Sequence, residues 1–258
     1  MKLGFLGAGA ITSAIVTGLN SPGTDDRSIV LSPRNASVAS DLARRFPRVS
    51  VASSNQQVLD ECESVVVAVR PQIAQSVLSE LRFLPGHNVI SVVSGFSVER
   101  LSGLVAPATK VTRAVPLPSA ARRGSPTAIY PCDPGTVELF AQLGAAFAID
   151  SEIEFDALCT ATATMAAHFA FAANAASWLT RHGIPEAKAR DYIARLYAGL
   201  AQTSLDEPER SFQSLAAGHA TRGGTNEQVL THLTAHGVWE RFSEALDGVM
   251  RRVTAGSK

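Results

Sequence analysis

The sequence predicts an α/β protein in two parts: residues 1–150 as a largely parallel sheet wrapped by helices, and residues 151–258 as an all-α domain. Three observations carry this. Short β-rich runs alternate with helical patterns through the first 150 residues, as crossover connections between parallel strands require. The run Val65-Val66-Val67-Ala68-Val69 is uniformly apolar, which suits a strand covered on both faces. Beyond Glu152 the strand signals stop, and Phe155 to Arg181 is built mainly of Ala, Thr, Leu, Phe and Met without Gly or Pro.

The strands expected are Lys2 to Leu6, Ser28 to Leu31, Val49 to Ala52, Ser64 to Val69, Val89 to Val93, Lys110 to Val115, Ser125 to Tyr130 and Ala146 to Ile149. Helices are expected near 10 to 21, 35 to 46, 72 to 82 and 97 to 105, with another beginning beyond Pro134. The 155 to 181 stretch reads as one long helix stopped by His182-Gly183. Further helices fit 185 to 204, 208 to 217, 226 to 235 and 238 to 253.

Hydrophobic residues are 46% and charged residues 18% of the 258, which supplies a core and excludes a disordered chain. Lys+Arg and Asp+Glu are 23 each, so there is no basic field to hold a polyphosphate backbone, and nucleic acid is not expected as a partner. Cys62, Cys132 and Cys159 are far apart, with no CxxC pair and no histidine at metal spacing, so reduced, mostly buried thiols are expected and no metal. Lys2 precedes an apolar run, as in a signal peptide. Gly4, Gly7 and Gly9 interrupt that run, and no stretch has the ~18 to 20 apolar residues of a membrane span, so the reading is a cytoplasmic protein.

The first chemical motif is Gly7-Ala8-Gly9-Ala10-Ile11-Thr12, between the first strand and the first helix. Glycines in that turn let backbone approach a pyrophosphate, and the helix N-terminus offers free N–H groups; a purely structural turn is the alternative. Thr12 stands where the fingerprint has its third glycine. In Rossmann-type domains that bind NAD, an acid after the second strand holds the ribose hydroxyls. Here the residues are Ser32-Pro33-Arg34, and a hydroxyl with a guanidinium suits a 2′-phosphate, against the alternative of a solvated surface arginine.

These features belong to a longer set. GFLGAGAITSAIVTGL at 4 to 19, SPR at 32 to 34, AVRPQ at 68 to 72, ISVVSGFSVERL at 90 to 101, RAVPLP at 113 to 118, DALCTATAT at 156 to 164, Gln202-Thr203 and TRGGTN at 221 to 226 together resemble the pyrroline-5-carboxylate reductases, in order and nearly throughout the chain. The resemblance implies an NADP(H)-dependent enzyme that passes hydride to the C=N bond of a cyclic imino acid, giving proline, and works as a homodimer or a multiple of dimers. It implies that Gly7, Gly9, Ala10 and Ile11 line the pyrophosphate, that Ser32 and Arg34 meet the 2′-phosphate, and that Asn55 sits by the adenosine. Ala68, Val69 and Pro71 pass under the nicotinamide ribose, with Arg70 where the family has Lys.

For the substrate half, the resemblance implies that Gly223, Gly224, Thr225 and Asn226 grip a carboxylate through backbone N–H groups, with Thr225 and Asn226 as the catalytic pair. Asn226 stands where the family has a Thr facing the ring nitrogen; it can offer an amide there or cap a helix. Other departures are Leu117 in place of a polar residue and the 162 to 168 segment, which lacks two glycines and a proline of the family and ends in His168 in place of Tyr. His168 can donate a proton or serve as a hydrogen-bonded core or interface histidine. Two alternatives follow: a reductase of the same fold for another imine or a 2-oxo or 3-hydroxy acid, and an NADP-binding regulatory protein without catalysis.

Overall fold

The computed structural model describes residues 2–256. An eight-stranded sheet runs in the order β3 (Val49–Val51), β2 (Ser28–Leu31), β1 (Lys2–Leu6), β4 (Ser64–Val67), β5 (Asn88–Ser91), β6 (Lys110–Val115), β7 (Ser125–Tyr130), β8 (Gly144–Ala148). The first six are parallel, linked by helices α1 (Ala10–Leu19), α2 (Ala36–Arg45), α3 (Asn55–Glu61), α4 (Pro71–Ser79) and α5 (Val98–Leu104). β7 is antiparallel to β6, because the link between them is one 3₁₀ turn at Pro118–Arg122, too short for a crossover helix. α6 (Pro134–Ala141) then returns the chain to β8, parallel to β7.

The pleat divides the core. Leu3, Phe5 and Val66 pack with α1, α2 and α6 on one face, whereas Leu6, Val65 and Val67 pack with α3, α4 and α5 on the other. The crossover direction reverses between β1 and β4, and such a switch point opens a crevice at the carboxyl ends of the strands.

The sequence reading has no helix at 55 to 61. α3 forms there because Ser54 caps it, its side chain accepting the Gln57 N–H at 3.1 Å. The single helix expected over 155 to 181 is two, α7 (Glu152–Ala161) and α8 (Thr164–Arg181), with a turn at 162 and 163. No Gly or Pro is needed, since the Thr164 hydroxyl donates to the Ala161 carbonyl at 2.8 Å and satisfies a group the break releases. α8 ends as expected. Gly183 takes φ 87°, its N–H reaches the Thr180 carbonyl, and the Ile184 N–H reaches Leu179, a Schellman cap.

The chain forms two compact units, residues 2–160 with 250–256, and 161–249. The second holds α8, α9 (Glu186–Asp206), α10 (Phe212–His219), α11 (Thr225–Ala235) and most of α12 (Val238–Gly256). α8 has no buried residue, and Phe169 is 71% exposed. Among the described residues no helix is long and apolar enough to cross a membrane, and no group of three or more metal-ligating side chains occurs. Cys62 is buried and Cys159 half-buried, but Cys132 is exposed, against the expectation of mostly buried thiols.

Candidate active site

The glycine turn lies at the switch point. Gly7 has φ 105°, and a Cβ there would stand 2.6 Å from the Ala68 carbonyl oxygen at the end of β4, so both conformation and space demand glycine. Gly9 is the N-cap of α1. A Cβ at Gly9 would meet nothing within 4 Å, and no side chain caps the helix. The first N–H groups of α1, at Ala10 and Ile11, therefore face open space with the positive end of the helix dipole behind them. A pyrophosphate fits such a cradle.

Buried polar groups hold the turn from behind. Thr12 is fully buried and its hydroxyl donates to the Gly7 carbonyl at 2.8 Å, so the residue in the third glycine position ties the loop. The Gly7 N–H donates to the Ser32 hydroxyl at 2.8 Å, and Ser32 is also fully buried. Ser32 thus braces the glycine turn, while Arg34 is exposed two residues later. Asn35, in the left-handed region with φ 63°, donates its amide to the Ala8 carbonyl at 2.9 Å, joining the loop after β2 to the turn after β1. Asn55 is half-buried in the first turn of α3. Neither the Thr12 nor the Asn35 contact is readable from local pattern, because each joins residues that only the turn brings together.

Past β4, Ala68 and Val69 are half-buried and Pro71 opens α4. Further along the sheet edge stands Arg113, near the end of β6 and 1% exposed. Its Nη1 donates to Glu152 Oε1 at 2.7 Å and its Nη2 to Asp156 Oδ1 at 2.8 Å, while its Cζ lies 4.3 Å from the centre of the Phe155 ring. The same Glu152 oxygen accepts the Val98 N–H at 2.8 Å. Burial pushes the neighbouring Cys159 thiol pKa up. Leu117, beyond β6, gives its N–H to the Ser125 hydroxyl at 2.8 Å.

In the second unit, the loop before α11 contains Gly223 in the left-handed region, φ 75°, followed by Gly224 as N-cap and Thr225 as the first helical residue. Gly223, Gly224, Thr225 and Asn226 are thus gathered at one helix start. Two N–H groups are already taken: that of Gly224 by the Thr221 carbonyl at 2.8 Å, and that of Gly223 by the carboxylate of Glu227 at 2.6 Å. Asn226 is not the cap; its amide donates to the His219 carbonyl at 3.1 Å. His168 on α8 is exposed within the chain, which leaves the interface reading and not the core one, with its ring 5.8 Å from that of Tyr197.

A parallel sheet with this strand order and an open glycine turn at its switch point defines a dinucleotide-dependent oxidoreductase architecture. Comparison with known proteins agrees. Residues 2–95 match the family described as NADP oxidoreductase, coenzyme F420-dependent, and residues 152–255 match pyrroline-5-carboxylate reductase dimerisation. The chain is 25% identical to pyrroline-5-carboxylate reductase of Vibrio alginolyticus, over 97% of this chain and 96% of the relative. With pyrroline-5-carboxylate reductase 3 of Xenopus laevis it shares 26% identity over 98% and 94%. The crystal structure of 1-pyrroline-5-carboxylate reductase from Streptococcus pyogenes superposes with a TM-score of 0.87 at 25% identity, covering 99% of this chain and 98% of that one. The pyrroline carboxylate reductase of Plasmodium falciparum, solved with NADP bound, has the same fold, with a TM-score of 0.84 at 18% identity over 100% and 98%. The chain is an NAD(P)H-dependent oxidoreductase. Within that class its C-terminal part matches the dimerisation domain of the pyrroline-5-carboxylate reductases, and nearly its whole length is similar to those enzymes at 25 to 26% identity.

Proposed function

We propose that the chain is a cytoplasmic NADPH-dependent reductase of small cyclic imino acids, with pyrroline-5-carboxylate, reduced to proline, as its first candidate substrate. The observation that carries this is the open, uncapped start of α1 beside the loop Ser32 to Arg34, which holds an exposed guanidinium and no acid. NADP(H) is the cofactor such a site suits, and when bound it supplies the hydride.

The chain's own residues then bind and orient. Gly7, Gly9, Ala10 and Ile11 receive the pyrophosphate, Arg34 the 2′-phosphate with Ser32 behind it, and Asn55 the adenosine edge. Ala68, Val69 and Pro71 back the nicotinamide ribose. In the second unit the Gly223 to Thr225 N–H groups are the candidate holders of the substrate carboxylate, and Thr225 and Asn226 the candidate donors toward the ring nitrogen. A site of this kind needs positioning and charge neutralisation more than an acid–base triad.

The family match at 152–255 and the uncovered apolar helix α8 support a homodimer, or a multiple of dimers. The second reading, a reductase of the same fold acting on a different imine, is favoured by Glu227, whose carboxylate already holds the Gly223 N–H. The test is NADPH oxidation with pyrroline-5-carboxylate, carboxylate-free 1-pyrroline and a 2-oxo acid, each at saturating concentration. Turnover of the first supports the main reading and turnover of 1-pyrroline alone the second; NADPH binding without turnover of any would leave a regulatory role.

A further inference from the structure

We infer that Arg113 is a positioning residue for hydride transfer, acting through the strand ends it ties together; the inference rests on the proposed reductase reading. In a doubly wound sheet a dinucleotide lies across the carboxyl edge, its adenosine half over β1 to β3 and its nicotinamide half over the strands beyond the switch point. The loop that leaves β5, Val92 to Ser97, starts beside Arg113, because Ser91 is in register with it, and β6 runs on two residues to Val115 before its own loop at Pro116 and Leu117. One guanidinium links both to α7. It donates to Asp156 and to the Glu152 oxygen that also holds the first N–H of α5. Beneath it lies the Phe155 ring.

Stability gives a poor account of this arrangement, since a well-packed apolar group in place of a buried ionic cluster is often as stable or more so. The planar fork of an arginine supplies direction: its two bonds fix the angle at which α7 crosses the strand ends. The brace leaves a cavity of about 10 Å³, lined by Val92, Ser94, Arg113, Val115, Phe155 and Cys159 among others, and Arg113 Nε is buried without a hydrogen-bond partner among the described residues. A volume of that size takes one water molecule, which can satisfy Nε without displacing either loop. The wall beside the nicotinamide half is thus set by one charged side chain with almost no free space around it.

The test uses the full chain with R113K, D156N and the milder E152Q, which keeps an acceptor for Val98. NADPH affinity is read by quenching of protein fluorescence, the nicotinamide environment by the emission yield of bound NADPH, and turnover by kcat and KM for the imine. The expected result is an affinity within about twofold of wild type, a changed emission yield and a kcat lowered roughly 10- to 100-fold, the scale on which small misplacements of reacting atoms act. Variants that melt earlier but keep wild-type kcat and emission yield would overturn the inference, as would loss of NADPH binding in all three. If the wild type reduces no imine, the reductase reading fails, and the emission yield still decides whether Arg113 sets the nicotinamide wall.

Discussion

The carboxylate of Glu227 accepts the Gly223 N–H at 2.6 Å, within the loop to which the family resemblance assigns a substrate carboxylate. A carboxylate substrate would have to displace it there. A charge-assisted hydrogen bond contributes about 1.5 to 3 kcal/mol, a factor of roughly 10 to 100. Glu227→Gln is therefore expected to raise kcat/KM for pyrroline-5-carboxylate relative to 1-pyrroline by about tenfold, read as the ratio within each variant. An unchanged ratio with a lower melting temperature would make Glu227 a helix-capping residue and nothing more. The exposed Arg222 is the control: should it be the carboxylate's receptor, Arg222→Ala would depress that ratio and Glu227→Gln would leave it alone.

Ser32 and Arg34, expected together on the 2′-phosphate, are placed differently and predict different losses. Removing the Ser32 hydroxyl strands a half-buried N–H of Gly7, which costs about 1 kcal/mol or more. Ser32→Ala should lower the melting temperature and weaken NADPH and NADH alike, because it loosens the turn both use. Arg34→Ala should leave the melting temperature in place and weaken NADPH about 10- to 100-fold while sparing NADH. Equal loss of the two cofactors on Arg34→Ala would remove the guanidinium from the 2′-phosphate site.

The thiols should separate by burial. Desolvation holds the Cys62 thiol up at about 11, so at pH 8 only about one in a thousand is thiolate, the form that reacts. Cys132 is exposed. Iodoacetamide at pH 8 should label Cys132 first and Cys62 only on unfolding, as peptide mass mapping would show. Early labelling of Cys62 would mean that α3 opens readily from the sheet.

The sheet and the end of α8 were legible because their signals are periodic and local: apolar runs of strand length, glycines at a turn, and a cap at Gly183. The glycine turn was legible for the same reason, since Gly7 is demanded by its positive φ and by the close approach of the Ala68 carbonyl. What escaped depends on pairings distant in the chain. Arg113 and Asp156 stand in two quoted motifs 43 residues apart, and only the packing of α7 on β6 makes them an ion pair. The expected long helix failed at 162 and 163 because the break carries no Gly or Pro and is closed by a threonine hydroxyl. Glu227 was silent because an acid in a first helical turn is ordinary; its bond to Gly223 follows from the left-handed turn.

The last expectation concerns assembly. α8 carries two ionisable side chains in 18 residues, His168 and Arg181, yet none of its residues is buried within the chain. Phe169 is 71% exposed, and Phe171 and Trp178, seven residues apart and so on one stripe, are each 52% exposed. Tyr192 and Leu205 on α9 and Phe212 on α10 add further apolar surface. Exposed patches of this kind exceed what monomeric proteins usually show to water, and each buried large side chain is worth about 1.5 to 3 kcal/mol, so covering α8 with a second copy would stabilise the fold strongly. Sedimentation at nanomolar concentration should give twice 27.1 kDa or a multiple of it. Phe169→Asp, which puts an unpaired charge in the stripe, should shift the protein toward monomer, lower its melting temperature and make that temperature depend on concentration. A folded, active 27.1 kDa monomer in the wild type would refute the dimer.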